Sequence, residues 1–383
     1  MIARQKLSPL LVLVLAAAFL TPGTAAPAWG APSGPRTLTI GMGSFPSNLS
    51  PGHAGNASLM MLFQFSEGLT RHDPSGRVIP ALAESWRLID DTTWEFKLRK
   101  GVKFHNGEPF TAQAVKFTYD RTLDTRRPYS RRSRVGFVTA VEVVDDYTVR
   151  MKTSAPFPLL AFGSYAIVIE PPGYVRQVGD EEALRKPVGT GPYRVVEWVP
   201  DRHLVLEANR EYWDGRPKID RVIFRHMPDA STRLGALRAA EVQIADKLTI
   251  DVARTMETAT TTVKSVNIAA GLVNTYNLRE PGPLQNLKVR QAIDHAIDRK
   301  IILQGIYRGY GAMLDGQLTV KGSIGYNPKL QATPYDVEKA KKLLAEAGYA
   351  GGLSLNYVVP LNYQIGDHEI ALATEAQLKK VGI

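Results

Sequence analysis

Residues 94–121, WEFKLRKGVKFHNGEPFTAQAVKFTYDR, constrain the fold more than any other stretch, because they dictate several local structures in quick succession. Trp94, Phe96 and Leu98 alternate with Glu95, Lys97 and Arg99, which predicts a half-buried strand with one apolar and one charged side. Gly101 permits a turn, Val102 and Phe104 resume the extended run, and Asn106-Gly107 supplies the positive-φ dipeptide of a second turn. Pro109 precedes Thr111, an N-cap residue, and Val115, Tyr119, Thr122 and Leu123 follow at helical spacing. The stretch therefore reads strand, turn, strand, turn, helix. His105, Asn106 and Glu108 crowd the second turn and are the first candidates for chemistry.

The chain has 383 residues, 44% hydrophobic and 22% charged, which predicts two or three folding units. Residues 1–30 are expected to be a secretory signal: Arg4 and Lys6 precede an apolar run at 10–20, followed by small residues and prolines. That run is shorter than the ~20 residues a membrane span needs. Cleavage after Ala28 or after Gly30 satisfies the small-residue rule equally. With no cysteine, disulfides, thiolate metal sites, a cysteine nucleophile and a lipid-anchored cysteine are all excluded. A freely diffusing periplasmic protein is expected. Losing Arg4 and Lys6 takes the formal charge from +10 to +8. Export argues against nucleic acid as a partner, and the basic run TRRPYSRRSR is expected to be a solvated loop.

Further along, residues 37–41 predict a strand and the apolar run 59–65 a helix. Residues 141–152 read as two strands joined at Asp145-Asp146, so the chain to about residue 186 forms an α+β unit. Strands are expected at 193–199, 203–208, 219–226 and 353–359, with a strand and turn at 241–248. Helices are expected at 231–240, 335–348 and 369–381, and a long amphipathic one runs from Leu287 with Val289, Ile293, Ala296 and Ile297 on one side.

Catalytic and metal signatures fail one by one. The seven histidines show no HxxxH, HExxH or HxH spacing, Gly41-Met42-Gly43 meets Pro46 where the dinucleotide fingerprint needs glycine, and Gly189-Thr190-Gly191-Pro192 lacks the remainder of a phosphate loop. His105 and Glu108 are read as turn residues that cap or support the following helix. No catalytic residue, metal ligand or cofactor is expected.

Four blocks in order, PALAESWRLIDDTTWEFKLRKGVKFHNGEPFTAQAVKF, PVGTGPYRVVEW with LEANREYWDGRPKIDRVIF, KVRQAIDHAIDRKII and YDVEKAKKLLAEAGY, resemble extracellular solute-binding protein family 5. These are oligopeptide- and dipeptide-binding components of ABC importers. The sequence departs from that family at Ala114 and Gln243, where aspartate is frequent, and at Ser50, all three expected at surface or turn positions. The resemblance implies a two-lobed α/β fold like that of periplasmic binding proteins, closing over its ligand. Residues 31–60 and 187–270 would form lobe I, residues 61–186 its extra subdomain, and residues 271–383 a partial lobe II. It also implies that the chain is C-terminally truncated, leaving unpaired strand edges and losing a carboxylate that relatives use for a ligand amine.

The implied function is delivery of di- or oligopeptides, or a similar small solute, to the membrane subunits of an ABC importer by a monomer. Expected ligand-binding residues are Asn56 and Ser58 in the first polar loop, with Asn274, Tyr276 and Asn277 at the interlobe crossover. The competing classes are a periplasmic hydrolase using His105 and Glu108, and a truncated product without binding activity.

Overall fold

The structure, a computed structural model, describes residues 34–46, 48–49, 56–127, 129–258, 260–265, 272–322, 325–359 and 365–383; the side chains at 56–58 and 130 also lie outside the description. The expected leader and Ser50 fall outside these residues.

In chain order the elements are β1 (Thr37–Met42), α1 (Asn56–Phe65), β2 (Thr70–His72), β3 (Val78–Pro80), β4 (Ala83–Asp90), β5 (Thr93–Leu98), α2 (Ala112–Leu123), β6 (Val138–Asp145) and β7 (Thr148–Thr153). There follow α3 (Leu160–Gly163), α4 (Pro172–Arg185), β8 (Tyr193–Val199), β9 (His203–Ala208), β10 (Arg221–His226), α5 (Ala230–Arg238) and β11 (Ile244–Ala245). The helices α6 (Ile250–Arg254), α7 (Leu287–Ala296), α8 (Arg299–Gly305), α9 (Val337–Glu346) and α10 (Asp367–Lys379) complete the order.

The first sheet has the order β11-β1-β10-β9-β8. β1 runs parallel to both neighbours, with Thr37 opposite Arg221 and Ile40 opposite Ile244. Asp201, at φ 56, turns the β8–β9 hairpin expected at Pro200-Asp201. Met61, Leu62 and Phe65 of α1 bury against Leu204, Leu206, Val222 and Phe224 of this sheet. A boundary after residue 60 therefore falls inside a helix whose buried face belongs to the first sheet.

Two glycines then pass over the end of α1. A Cβ on Gly189 would lie 2.0 Å from the Phe65 carbonyl oxygen, and one on Gly191 would lie 2.7 Å from the Phe65 carbonyl carbon. The Gly191 N–H donates to that oxygen at 3.1 Å. The PVGTGP block thus makes a close backbone crossing with no room for a side chain at Gly189 or Gly191.

The second sheet is an antiparallel meander, β4-β5-β7-β6, with α2 packed against it. Phe96 and Leu98 point into its core as expected, while Trp94 is half-buried. Glu95, expected on the charged side, is only 3% exposed. Its cross-strand neighbours on both sides are arginines, Arg87 on β4 and Arg150 on β7, and their guanidinium groups cover it at 2.8 and 3.0 Å. Arg87 foremost holds the Glu95 carboxyl below its ordinary range.

The expected second strand at Val102 and Phe104 is reduced to one bridge, Lys103 with Pro109, around a turn in which Gly107 takes φ 88. Thr111 does stand at the α2 N-cap, with no side-chain capping bond. Ala114 is 1% exposed and belongs to the buried face of α2, not to a surface or turn. The basic loop also departs from expectation. Arg131 is buried and donates to the Ala166 carbonyl, and Arg132 donates to the carbonyls of Thr122, Asp124 and Arg127, closing the C-terminal end of α2.

From residue 272 onward the described residues form helices and no strand. Val289, Ala292, Ile293 and Ala296 of α7 pack against Ala340 and Leu344 of α9 and against Val381. The expected long helix stops at Ile297, which takes φ −101 and ψ 111. Asp298 causes the break: its side chain accepts from the N–H groups of Lys300 and Ile301 and so starts α8, while its own N–H donates to the Gln377 side chain. Residues 353–359 have no ladder partner among the described residues, and Val358 is 89% exposed. A strand exists only through pairing, so the expected strand is not formed.

Candidate ligand-binding site

The His105 turn proves to be structural. Its Nε2 lies 3.0 Å from the Gly191 carbonyl oxygen, and its Nδ1 faces the Gly189 N–H at 3.4 Å. One partner accepts and the other donates, which suits a neutral imidazole with the proton on Nε2. Burial pushes its pKa down, in agreement. Glu108 accepts from the N–H groups of Gly173 and Tyr174 at 2.8 and 3.1 Å, so it caps α4 instead of the α2 helix that follows it. The two side chains act on different backbone segments and make no acid/base pair.

A second node joins the distinctive blocks. Glu67 accepts from Thr190 Oγ1 at 2.9 Å, Trp213 Nε1 at 3.0 Å and Tyr212 Oη at 2.7 Å. Burial raises its pKa against the lowering effect of these donors. The Arg99 guanidinium lies 4.1 Å from the centre of the Trp213 ring. The GTGP and YWDG blocks are therefore load points of the fold, and their shared partner is 123 to 146 residues away in sequence.

The crossover candidates share one segment without regular secondary structure but differ in setting. Asn274 is exposed, and its Oδ1 accepts from the Tyr357 hydroxyl at 2.9 Å. Tyr276 is half-buried against the α7 cluster, with its hydroxyl 3.5 Å from the Arg290 carbonyl. Asn277 is exposed and accepts from the Arg279 N–H, a local turn bond. Asn56 and Ser58 lie in the first turn of α1, and their side chains are outside the described residues.

A further group of polar residues gathers at the C-terminal ends of the parallel strands β1 and β11. Sequence reasoning missed it. The signal was available: in open α/β sheets ligands sit outside the carboxyl ends of the strands, where chain connections diverge. Arg233, 3% exposed, donates to the carbonyls of Met227, Pro228, Asp246 and Lys247. Asp246 Oδ1 accepts from the Gly43 N–H at 2.6 Å, and burial raises the Asp246 pKa. Lys247, at φ 48, places its ammonium 2.8 Å from Ser44 Oγ. Just beyond, Asp251 of α6 meets Arg308, which follows α8, at 3.1 Å. Among the described residues no group of acidic and histidine side chains is placed to hold a metal.

Comparison with known proteins agrees with this architecture. Heme-binding protein A of Haemophilus influenzae is 35% identical over 354 residues, covering 84% of this chain and 62% of that protein. Glutathione-binding protein GsiB of Pectobacterium atrosepticum is 32% identical over 366 residues, covering 94% and 69% respectively. The chain thus spans less than two thirds of the length of the first of these relatives. The solved ABC transporter-associated periplasmic binding protein DppA from Helicobacter pylori, in complex with peptide STSA, matches at a TM-score of 0.77 and 26% identity, over 91% of this chain and 72% of that one. Such neighbours carry the two-lobed α/β fold of periplasmic binding proteins. The profile of bacterial extracellular solute-binding proteins, family 5 (middle region), matches residues 77–383, and the chain belongs to that family.

Proposed function

We propose that the protein binds a peptide, or a solute of similar size and polarity, between two lobes and presents it to the membrane subunits of an ABC importer. The observation that carries this reading is the kinship just described, which includes a relative solved with a bound peptide. The first lobe comprises residues 31–60 and 187–270, extended through Phe65 by the packing of α1 on the first sheet. Residues 61–186 beyond that helix form its extra subdomain, and residues 271–383 belong to the second lobe. Asn56, Ser58, Asn274 and Asn277 offer amide and hydroxyl groups to a ligand backbone, and Tyr276, packed on α7, steadies the crossover. Closure of the lobes on ligand stabilises the state that the importer recognises. The protein acts in the periplasm as a monomer after loss of a leader within residues 1–30, and it releases its ligand chemically unchanged.

Titration calorimetry of the protein with mixed-sequence di- to pentapeptides tests the reading. Saturable heat with recovery of intact peptide is expected. No heat with any peptide removes the peptide assignment, and cleavage of the peptide removes the binding role.

A further inference from the structure

We propose that the apolar tip between β7 and α3, with Phe137 beside it, attaches the protein reversibly to the surface of an anionic phospholipid membrane. This goes beyond solute binding and uses no residue offered above to the ligand.

Exposure is the first support. Residues 155–159, APFPL, put five consecutive apolar residues at the surface: Ala155, Pro156, Pro158 and Leu159 are exposed, and Phe157 is half-buried. Phe137, 47% exposed, stacks on Phe157 with ring centroids 4.7 Å apart. Single exposed apolar side chains are ordinary on a protein, but a run of this length calls for a function.

Preorganisation is the second. The Ser154 N–H donates to the Phe137 carbonyl at 2.8 Å and ties the two segments together at their base. Gly163 lets them approach, for a Cβ there would lie 2.6 Å from the Arg134 carbonyl oxygen. Phe157 also packs on the core of the second sheet, so the pair of rings is held in place before any partner arrives.

Charge identifies the partner. Residues 125–141 and 147–169, which carry Phe137 and the tip, include seven basic residues and no acidic one. Some are engaged: Arg126 and Arg127 pair with Asp124, Arg150 with Glu95 and Lys152 with Glu142, while Arg131 donates to a carbonyl. Arg132 also donates to carbonyls, which occupy its donors and leave its charge. Arg134, three residues before Phe137, is exposed and forms no ion pair among the described residues. Aromatic rings with guanidinium groups beside them suit the headgroup layer of an anionic bilayer. A second copy would bring these like charges together, and one loop and one ring fall well short of the ~20–30 residues a side of a stable protein interface. A surface this small holds the protein weakly and reversibly.

The test is co-sedimentation of the protein recovered after export with vesicles of phosphatidylglycerol and phosphatidylethanolamine, against vesicles of phosphatidylcholine alone. Wild type should partition onto the anionic vesicles only, and raised salt should release it. Phe137→Ser and Leu159→Ser should each weaken partitioning several-fold at an unchanged melting temperature, since both side chains are exposed. Arg134→Gln should weaken it about fivefold at low salt. Leu318→Ser, at a residue 74% exposed in the second half of the chain, should change nothing. No partitioning by wild type, equal partitioning onto phosphatidylcholine, or partitioning that survives Leu159→Ser overturns the proposal. So does a lipid-free dimer in ultracentrifugation that Leu159→Ser dissolves, which gives the tip to a second copy. Calorimetry with peptides should read the same for wild type and Phe137→Ser, so failure here leaves the peptide assignment standing.

Discussion

Glu67 is 9% exposed, and a carboxylate so placed persists only because three donors converge on it. Burial raises its pKa above the ordinary 4.5, so the folded state keeps the proton at a pH where the unfolded chain has lost it. The contribution of this group to stability is complete below the unfolded value and declines as pH rises through the raised one. Glu67→Gln has no proton to lose. In urea unfolding between about pH 4 and pH 8, the stability of wild type relative to Glu67→Gln should fall with rising pH. A difference that stays level across the series contradicts burial as the governing effect. Gly189 answers to sterics alone. Gly189→Ala places a methyl group 2.0 Å from the Phe65 carbonyl oxygen, and the two segments must separate to admit it. A loss of at least ~3 kcal/mol is expected in the same assay, and a change within ~0.5 kcal/mol would show that the crossing can shift freely.

At the scale of elements, the break between α7 and α8 rests on a short side chain. Asp298→Ala should cost about 1 kcal/mol and speed hydrogen exchange at the amides of Lys300 and Ile301, while α9 amides stay protected. Unchanged exchange there would mean that the tertiary bond to Gln377 alone sets the break. The same element shows what sequence periodicity reads and misses. Val289, Ile293, Ala296 and Ile297 are all buried, so the apolar face was legible, yet a periodic pattern runs straight through a cap residue that restarts the helix. Residues 94–121 were legible for the opposite reason, since every signal in them is local: alternation, Asn-Gly, then Thr before a helical run. Glu95 misled because its burial depends on Arg87 and Arg150 from two other strands, Glu108 because its partners are the Gly173 and Tyr174 N–H groups, and the strand expected at Val102 and Phe104 shrinks to one bridge. Residues 353–359 have the composition of a strand, but composition supplies no partner. Of the proposed ligand contacts, Asn274 and Tyr276 were visible as polar and aromatic groups of an expected crossover. The polar group at the ends of β1 and β11 was hidden because nothing near Lys247 in sequence reveals Arg233 beneath it or Ser44 beside it.

For the whole molecule, ligand binding and stability are one equilibrium. A peptide at a hundred times its dissociation constant should add ~2.7 kcal/mol to unfolding, so the melting temperature should climb with peptide concentration. A melting temperature indifferent to every peptide would speak against a closed, ligand-stabilised state. The path of the chain through the first sheet bears on how the protein is made. β1 takes its hydrogen bonds from β10 and β11, the first of which begins only at Arg221. The meander β4-β5-β7-β6, by contrast, has all its strands between Ala83 and Thr153. During synthesis from the N-terminus the meander can close on itself while the earliest strand still has no partner. The first strand to emerge thus waits for its ladder partners until more than half of the chain has been made.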